Sequence, residues 1–404
     1  MDSQSMPDTS DPAGGSAQRS PWGTIAAIYL GGVVTAMSFG KFSPVGPEVA
    51  AELRLSLSEL GWVISTVVGV GAAAGLPAGY LIRRFGAARS LVAGLVLVAA
   101  ASAASVAAGN FAWLLTVRGI EGIGYLLVTI SCPALIVRLA VGRDRGIALS
   151  IWATFVPMGI GASTLAGGVL GTAWGWRGWI ALVAGLTLVM ALVLRARLPR
   201  GSERQAAGPV PRAGALLWPV VLSAAFCLAV LVTLPVVVLL PTLLIEQHGQ
   251  SASAAGAATS VISLLGALGG LAAGVLLRRR APIGALALAG LLTVPAAWLL
   301  YGGPDSTAAA LTGAGTISIM NGFVGALAIS ALPLVLERLD HADVGNGVLA
   351  QAGSLGSLLG PPLFGLVAGG LGYGALVPVI AAGIVVSVAG LLLAGARAAR
   401  PQTS

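Results

Sequence analysis

Charge is scarce in this chain. Asp, Glu, Lys and Arg make up 9% of its 404 residues against 57% hydrophobic, too little polar surface to solvate a globular body of that size, so a water-soluble protein is excluded. Lysine is scarcer still, because Lys41 is the only one. A nucleotide-binding phosphate loop ends in Gly-Lys-Ser/Thr, whereas Gly40-Lys41 is followed by Phe42 inside an apolar run, which excludes ATP hydrolysis. Neither His-Glu-x-x-His nor Gly-x-Ser-x-Gly occurs, so no enzyme centre is expected. The two cysteines, Cys132 and Cys227, fall within apolar runs and read as small packing residues, not as ligands or a disulfide. No metal or cofactor is called for. Segments of about ten residues alternating apolar and polar are missing as well, which excludes a β-barrel.

What the chain does have is apolar runs of the roughly 20 residues an α-helix needs to cross a bilayer core. Twelve spans are expected, at 22–48, 57–82, 87–108, 111–139, 145–172, 177–198, 215–244, 252–277, 281–301, 307–337, 345–370 and 374–396. The fold class is therefore all-α integral membrane protein, embedded in the lipid bilayer. Ser56-x-x-Glu59 has the form of a capping box for the second span, and Gly109-Asn110 and Gly302-Gly303-Pro304-Asp305 read as turns. Residues 1–20 are polar with no apolar h-region and are expected to form a disordered tail, not a cleaved signal peptide.

With both ends placed in the cytoplasm, all but four of the 22 basic residues fall on the cytoplasmic side, as the positive-inside rule requires. That topology accounts for the net charge of +8 without a nucleic-acid partner. Trp113, Trp174, Trp176 and Trp179 are expected at the outer interface, and Trp22 and Trp218 at the inner one.

The sequence also repeats itself. "GLPAGYLIRRFG" from Gly75 is answered by "GLAAGVLLRRRA" from Gly270, and "SLSELG" from Ser56 by "SASAAG" from Ser251; Glu121-Gly122 is answered by Asn321-Gly322. Residues 21–198 and 215–397 thus read as two related six-helix bundles, joined by a cytoplasmic linker at 199–214 that bears Gly, Pro and charge. An even number of crossings enters both copies in the same orientation. Parallel halves can rock about a site at their interface, the plan of a secondary transporter. The Gly-x-x-x-Gly in each copy is expected to permit close helix contact.

Along nearly its whole length the chain resembles the major facilitator superfamily. "GYLIRRFGAAR", Gly79 to Arg89, is similar to that family's loop signature Gly-x-x-x-Asp-Arg-x-Gly-x-x-Arg between the second and third helices, and "RGIEGIG", Arg118 to Gly124, to its helix-4 signature Arg-x-x-Gln-Gly-x-Gly. "GWRGW", Gly175 to Trp179, resembles the Trp-Arg segment after helix 5. The resemblance implies two pseudo-symmetric six-helix bundles, transport by alternating access, and a conformational role for Gly79, Arg83, Arg84, Gly86 and Arg89. Arg83 stands where the signature carries Asp, and "STLAGG", Ser163 to Gly168, stands where proton-coupled exporters show Gly-Pro-x-x-Gly-Gly.

Four basic residues remain: Lys41, Arg54, Arg118 and Arg177. Arg54 and Arg177 read as solvated interfacial charges. Lys41 lies deep in the first span, where a charge costs at least about 2.5–3.5 kcal/mol unless it meets a cavity or partner; it either points inward to substrate or snorkels to the outer interface. Arg118 and Glu121, three apart on one helix face, are either a substrate-holding arginine with a proton-accepting carboxylate or a pair that neutralises itself. The resemblance favours the first. If they do neutralise each other, Lys41 leaves a positive site suited to a small organic anion. In the second half, Asn321 is the polar residue placed for substrate, and Gln351 reads as interhelical glue. Asp340, His341, Asp343 and His248 read as loop residues.

The expected function is secondary active transport of a small solute coupled to protons, by a monomer in a bacterial-type inner membrane. An exporter working as a proton antiporter, favoured by the helix-4 signature, and a transporter-like sensor without flux, favoured by the missing loop carboxylate, are the alternatives.

Overall fold

The computed structural model describes residues 20–141, 143–198, 217–279, 281–336 and 342–398, and all the regular structure among them is helical. The expected tail at 1–20, apart from Ser20, and the linker at 199–214 lie outside the described residues, as do Asp340 and His341.

The first bundle runs α1 (Trp22–Gly40), α2 (Gly46–Leu53), α3 (Leu57–Phe85), α4 (Ala87–Val106), α5 (Phe111–Leu139), α6 (Arg143–Trp152) and α7 (Phe155–Arg197). The second runs α8 (Leu217–Glu246), α9 (Ala252–Arg278), α10 (Ile283–Ala289), a 3-10 turn, α11 (Thr293–Tyr301), α12 (Thr307–Val335), α13 (Ala342–Leu371) and α14 (Leu376–Ala398). Eleven helical stretches among the described residues are long and apolar enough to cross a membrane. One of these, α7, has 43 residues, about 65 Å at the α-helical rise and twice the thickness of a bilayer core. It is broken at Gly175, whose φ of 67° is the left-handed conformation glycine adopts without strain. The two limbs of α7, the first continued by α6, are the fifth and sixth crossings, and twelve crossings result.

Sequence dictates the ends of these helices. Ser56 Oγ accepts the Glu59 amide and Glu59 returns a bond to the Ser56 amide, closing the capping box; Ser251 Oγ caps α9 in the same way through the Ala254 amide. The repeat is thus visible as two equivalent caps. Gly86, with φ of 88°, is the one-residue corner between α3 and α4.

We call the end at which α1 begins the basic end and its opposite the far end. Small residues set how closely the helices cross. A Cβ added to Gly122 would lie 2.7 Å from the Val67 carbonyl of α3, and one on Gly94 would lie 2.8 Å from the Gly124 carbonyl. The expected close contact does not extend to the whole second copy of the Gly-x-x-x-Gly segment, because Gly274 has nothing within 4 Å of an added Cβ. Between the bundles, α3 packs on α13 and α7 on α9. At the far end this packing leaves no room for a side chain: added Cβ atoms would meet the Pro361 carbonyl at 2.6 Å from Gly61, and the Ala252 carbonyl at 2.6 Å from Gly168. Ser58 Oγ donates across to the Pro362 carbonyl, and Ser43 Oγ to the Val238 carbonyl.

Candidate transport site

The site begins with a break in the first crossing. After Gly40 the chain leaves the helix, passes Pro44 and resumes at α2, because a proline ring has no N–H to extend the ladder. A helix that stops inside the protein leaves its last carbonyls without partners, and each partner found here comes from a different direction. Ser163 Oγ donates to the Met37 carbonyl at 3.2 Å, Arg118 Nη1 to Ser38 at 2.8 Å, and the Ser43 amide to Gly40 at 3.0 Å. Just past the break, Trp179 Nε1 donates to the Lys41 carbonyl at 2.9 Å.

Three expected site residues meet at this broken end. Lys41 Nζ lies 2.7 Å from Glu121 Oε1, and Arg118 Nη1 lies 2.8 Å from Glu121 Oε2, with all three side chains 0% exposed. Lys41 therefore points inward and does not snorkel. Arg118 has little left to offer a ligand: it makes four hydrogen bonds, to Glu121 and to the carbonyls of Ser38 on α1 and Val63 and Ile64 on α3. Its planar fork ties α1 and α3 to α5, a geometry that lysine could not copy. The Phe42 ring lies against both cations, 5.3 Å from Arg118 Cζ and 5.5 Å from Lys41 Nζ.

Counted as formal charges, two cations and one carboxylate leave the cluster at plus one. The carbonyl end of α1 carries about half a negative charge and receives Arg118 at the Ser38 carbonyl, which offsets part of the excess.

Sequence reasoning missed Ser102, whose Oγ accepts from Lys41 Nζ and donates to Glu121 Oε1, both at 2.7 Å. Nothing in the sequence marks it among the serines of α4, and burial does not either, since Ser90 and Ser105 are buried as well. Asn321 is not among the partners of the trio; its Oδ1 lies 2.8 Å from Thr233 Oγ1 of α8, within the second bundle. Of the loop-signature residues, Gly79 lies within α3, Gly86 forms the corner already described and Arg89 is exposed in the first turn of α4. Arg83 and Arg84 lie in the last turn of α3, and their side chains fall outside the described residues.

Arg177 is partly solvated, its side chain 39% exposed, but it is also more engaged than a free interfacial charge. It donates to Glu52 on α2 and to the carbonyls of Val106 and Ala108 at the end of α4, and its guanidinium lies 4.2 Å from the Trp176 ring centroid. The Trp176 indole donates to Glu52 at 2.6 Å, and this bond first, then Arg177, holds the Glu52 carboxyl below the usual range. Trp176 and Trp179 are buried, and so are not interfacial aromatics, whereas Trp113 and Trp174 are exposed as expected.

A multi-pass helical membrane protein in two six-helix bundles, with a charged cluster buried against a broken first helix, has the build of a membrane transporter. Residues 28–361 match the Major Facilitator Superfamily, and the chain belongs to that family. It is 27% identical over 404 aligned residues to the 3-(3-hydroxy-phenyl)propionate transporter of Escherichia coli, covering 94% of this chain and 95% of that one. It is 30% identical over 186 residues to an uncharacterised transporter of the same family from Mycobacterium tuberculosis, covering 46% of this chain but only 32% of that relative's length. In fold it matches a bacterial homologue of the human lysosomal transporter Spinster, solved in an inward-facing and occupied conformation, with a TM-score of 0.74 and 18% identity over 93% of this chain and 96% of that one.

Proposed function

We propose that this chain is a secondary active transporter that carries a small organic anion across a bacterial-type cytoplasmic membrane, coupled to protons, by alternating access of its two bundles. It works as a single chain without a cofactor, with both termini in the cytoplasm, where the basic end belongs by the positive-inside rule. The observation that carries the reading is the buried cluster in which Lys41 and Arg118 share one carboxylate, Glu121. A buried excess cation is a standing invitation to an anion, and an intramembrane carboxylate held by it is the natural acceptor for a coupling proton.

Lys41 is the group for the anion, since Arg118 is engaged by carbonyls on two helices. The relative matched over nearly the whole chain is named for a substrate with a propionate carboxylate, which agrees in charge. Gly79, Gly86 and the arginines around them form the hinge at the basic end, and Asn321 lines the second bundle's side of the path.

Purified full-length protein in proteoliposomes tests this with counterflow of a panel of radiolabelled carboxylates. Saturable exchange that Lys41→Ala abolishes is expected. Exchange unaltered in that variant removes Lys41 from the site, and binding without flux of any panel member identifies a sensor instead.

A further inference from the structure

We propose that the Val238 carbonyl of α8 is a switched acceptor: Ser43 of the first bundle holds it while the far end is closed, and Thr242 of its own helix takes it when the bundles part. The inference rests on the alternating-access reading above and concerns how the far end is poised, not what is carried.

It starts from a hydroxyl without a partner. Thr242 is 1% exposed, and its Oγ1 has no hydrogen bond. A threonine inside a helix can satisfy itself on the carbonyl one turn back. Buried threonines of this protein do so: Thr35, Thr187, Thr233 and Thr259 each donate to the residue four earlier, at 2.7–2.8 Å, and Thr164 donates to the residue three earlier. Thr293, the other buried threonine without a partner, follows a 3-10 turn, where the preceding carbonyls are out of α-helical register. The carbonyl four residues before Thr242 is that of Val238, and it is already taken. Ser43 Oγ donates to it from the break between α1 and α2.

The surroundings agree with a competition. Ser43 is buried, and Thr242 Oγ1 lies 3.2 Å from where a Cβ on Gly46 would stand, so the idle hydroxyl is packed beside the segment that carries its competitor. Pro241 lies within the same stretch of α8 and removes an N–H from that turn, which loosens it and lets a group from the other bundle reach a helix carbonyl. Two further hydroxyl bonds join the bundles, from Ser58 to the Pro362 carbonyl and from Ser263 to the Pro157 carbonyl. The residues four positions beyond those prolines, Leu366 and Gly161, have no hydroxyl. Among these three ties, only the one at Val238 has a rival donor.

A buried hydroxyl left unpaired costs free energy, so Thr242 penalises the closed far end, and the penalty is relieved when Ser43 withdraws. What Ser43 gives up on opening, Thr242 recovers on the same oxygen. The closed end thus has an inter-bundle bond and an idle hydroxyl, and the open end has neither. Such an exchange keeps the two states close in free energy, as a protein that visits both requires.

The test reads far-end opening through a thiol. Ser260 of α9 is 7% exposed, and its Oγ lies 3.3 Å from where a Cβ on Gly161 of α7 would stand, so Ser260→Cys places a thiol in the seam between the bundles. Full-length protein in proteoliposomes is treated with a membrane-impermeant thiol reagent, and labelling of protein lacking Ser260→Cys is subtracted for Cys132 and Cys227. At low reagent concentration the labelling rate is proportional to the open fraction, however small. Thr242→Val should slow labelling about fivefold, the equilibrium factor of one net hydrogen bond, and Thr242→Ser should stay within about twofold of the parent. In the Ser43→Ala background the carbonyl is free for Thr242 in both states, and Thr242→Val should no longer slow labelling. Slowing by the same factor in both backgrounds overturns the competition, and so does a parent rate that Thr242→Val leaves unmoved or raises; in each case the alternating-access reading stands. A thiol that reacts in none of the variants, yet reacts once the protein is unfolded, overturns that reading and this inference together.

Discussion

Replacing Lys41 by methionine should leave the protein about as stable as it is now, although it removes a buried ion pair. The reason lies in what is left behind. Glu121 keeps Arg118 at 2.8 Å and Ser102 at 2.7 Å, so the variant cluster is neutral and no charge is orphaned. The lost hydrogen bonds to a charged group are worth about 1.5–3 kcal/mol each, and relief of the desolvation penalty on an excess buried ion returns several kcal/mol. The expected net change is within about 1 kcal/mol of zero. Arg118→Met also leaves a neutral pair, but it strips the Ser38 carbonyl at the buried end of α1 of its partner and cuts two ties to α3. It should cost about 3–5 kcal/mol. Reversible unfolding in mixed detergent micelles, with both variants measured beside the wild type, reads the difference, which amounts to about thirtyfold or more in the folding equilibrium. If Lys41→Met loses as much as Arg118→Met, or if Arg118→Met stays within 1 kcal/mol of wild type, the division of labour between a mobile lysine and a fixed arginine is wrong.

Ser102 positions Lys41 against Glu121, so Ser102→Ala should shift the pH at which anion exchange is half-maximal, while Ser102→Thr restores it; a changed maximal rate with an unmoved pH profile would reduce Ser102 to packing. Gly61→Leu cannot close the far end against Pro361, and spin labels at Arg54 and Gln247 should report a longer distance across that end than in the parent; an unchanged distance would refute the steric argument. The Glu52 carboxyl is held low in the folded protein, so its contribution to stability is present above the ordinary carboxylate range and is lost as pH falls through the depressed value. Unfolding measured from about pH 6 down to about pH 3 should therefore steepen at the acid end for wild type and less for Glu52→Gln; identical profiles would show that the contact with Trp176 and Arg177 contributes nothing.

The crossings were legible in the sequence because they are written in runs of about twenty residues, where composition decides, and the duplication because short matched stretches recur at nearly constant spacing. The cluster was partly legible: Arg118 and Glu121 stand three apart on one helix face and do pair, whereas the pairing of Lys41 with Glu121 joins residues 80 apart and was not expected. What could not be read was the third element. Ser102 reaches Glu121 only because Gly94 and Gly124 let α4 and α5 approach closely, and one serine in a small-residue helix carries no sign of that. The contacts of Arg177, though not its partial exposure, were missed for a similar reason. Near a helix end, sequence cannot distinguish a solvated charge from one that braces α2 against α4, and the turn at Gly175 that aims it is a backbone property. Trp176 and Trp179 followed the same error, since proximity to an interface in sequence does not say which way an indole faces.

The broken end of α1 also bears on how the chain is made. Lys41 and its counter-ion are 80 residues apart, so at about 5–20 residues per second the ammonium waits roughly 4–16 s for its partner to be synthesised. During that interval the end of α1 has neither Arg118 for its carbonyls nor Glu121 for its lysine. The first of these crossings cannot settle at its final depth until the fourth is made, so α1 is completed only after three later crossings have been synthesised.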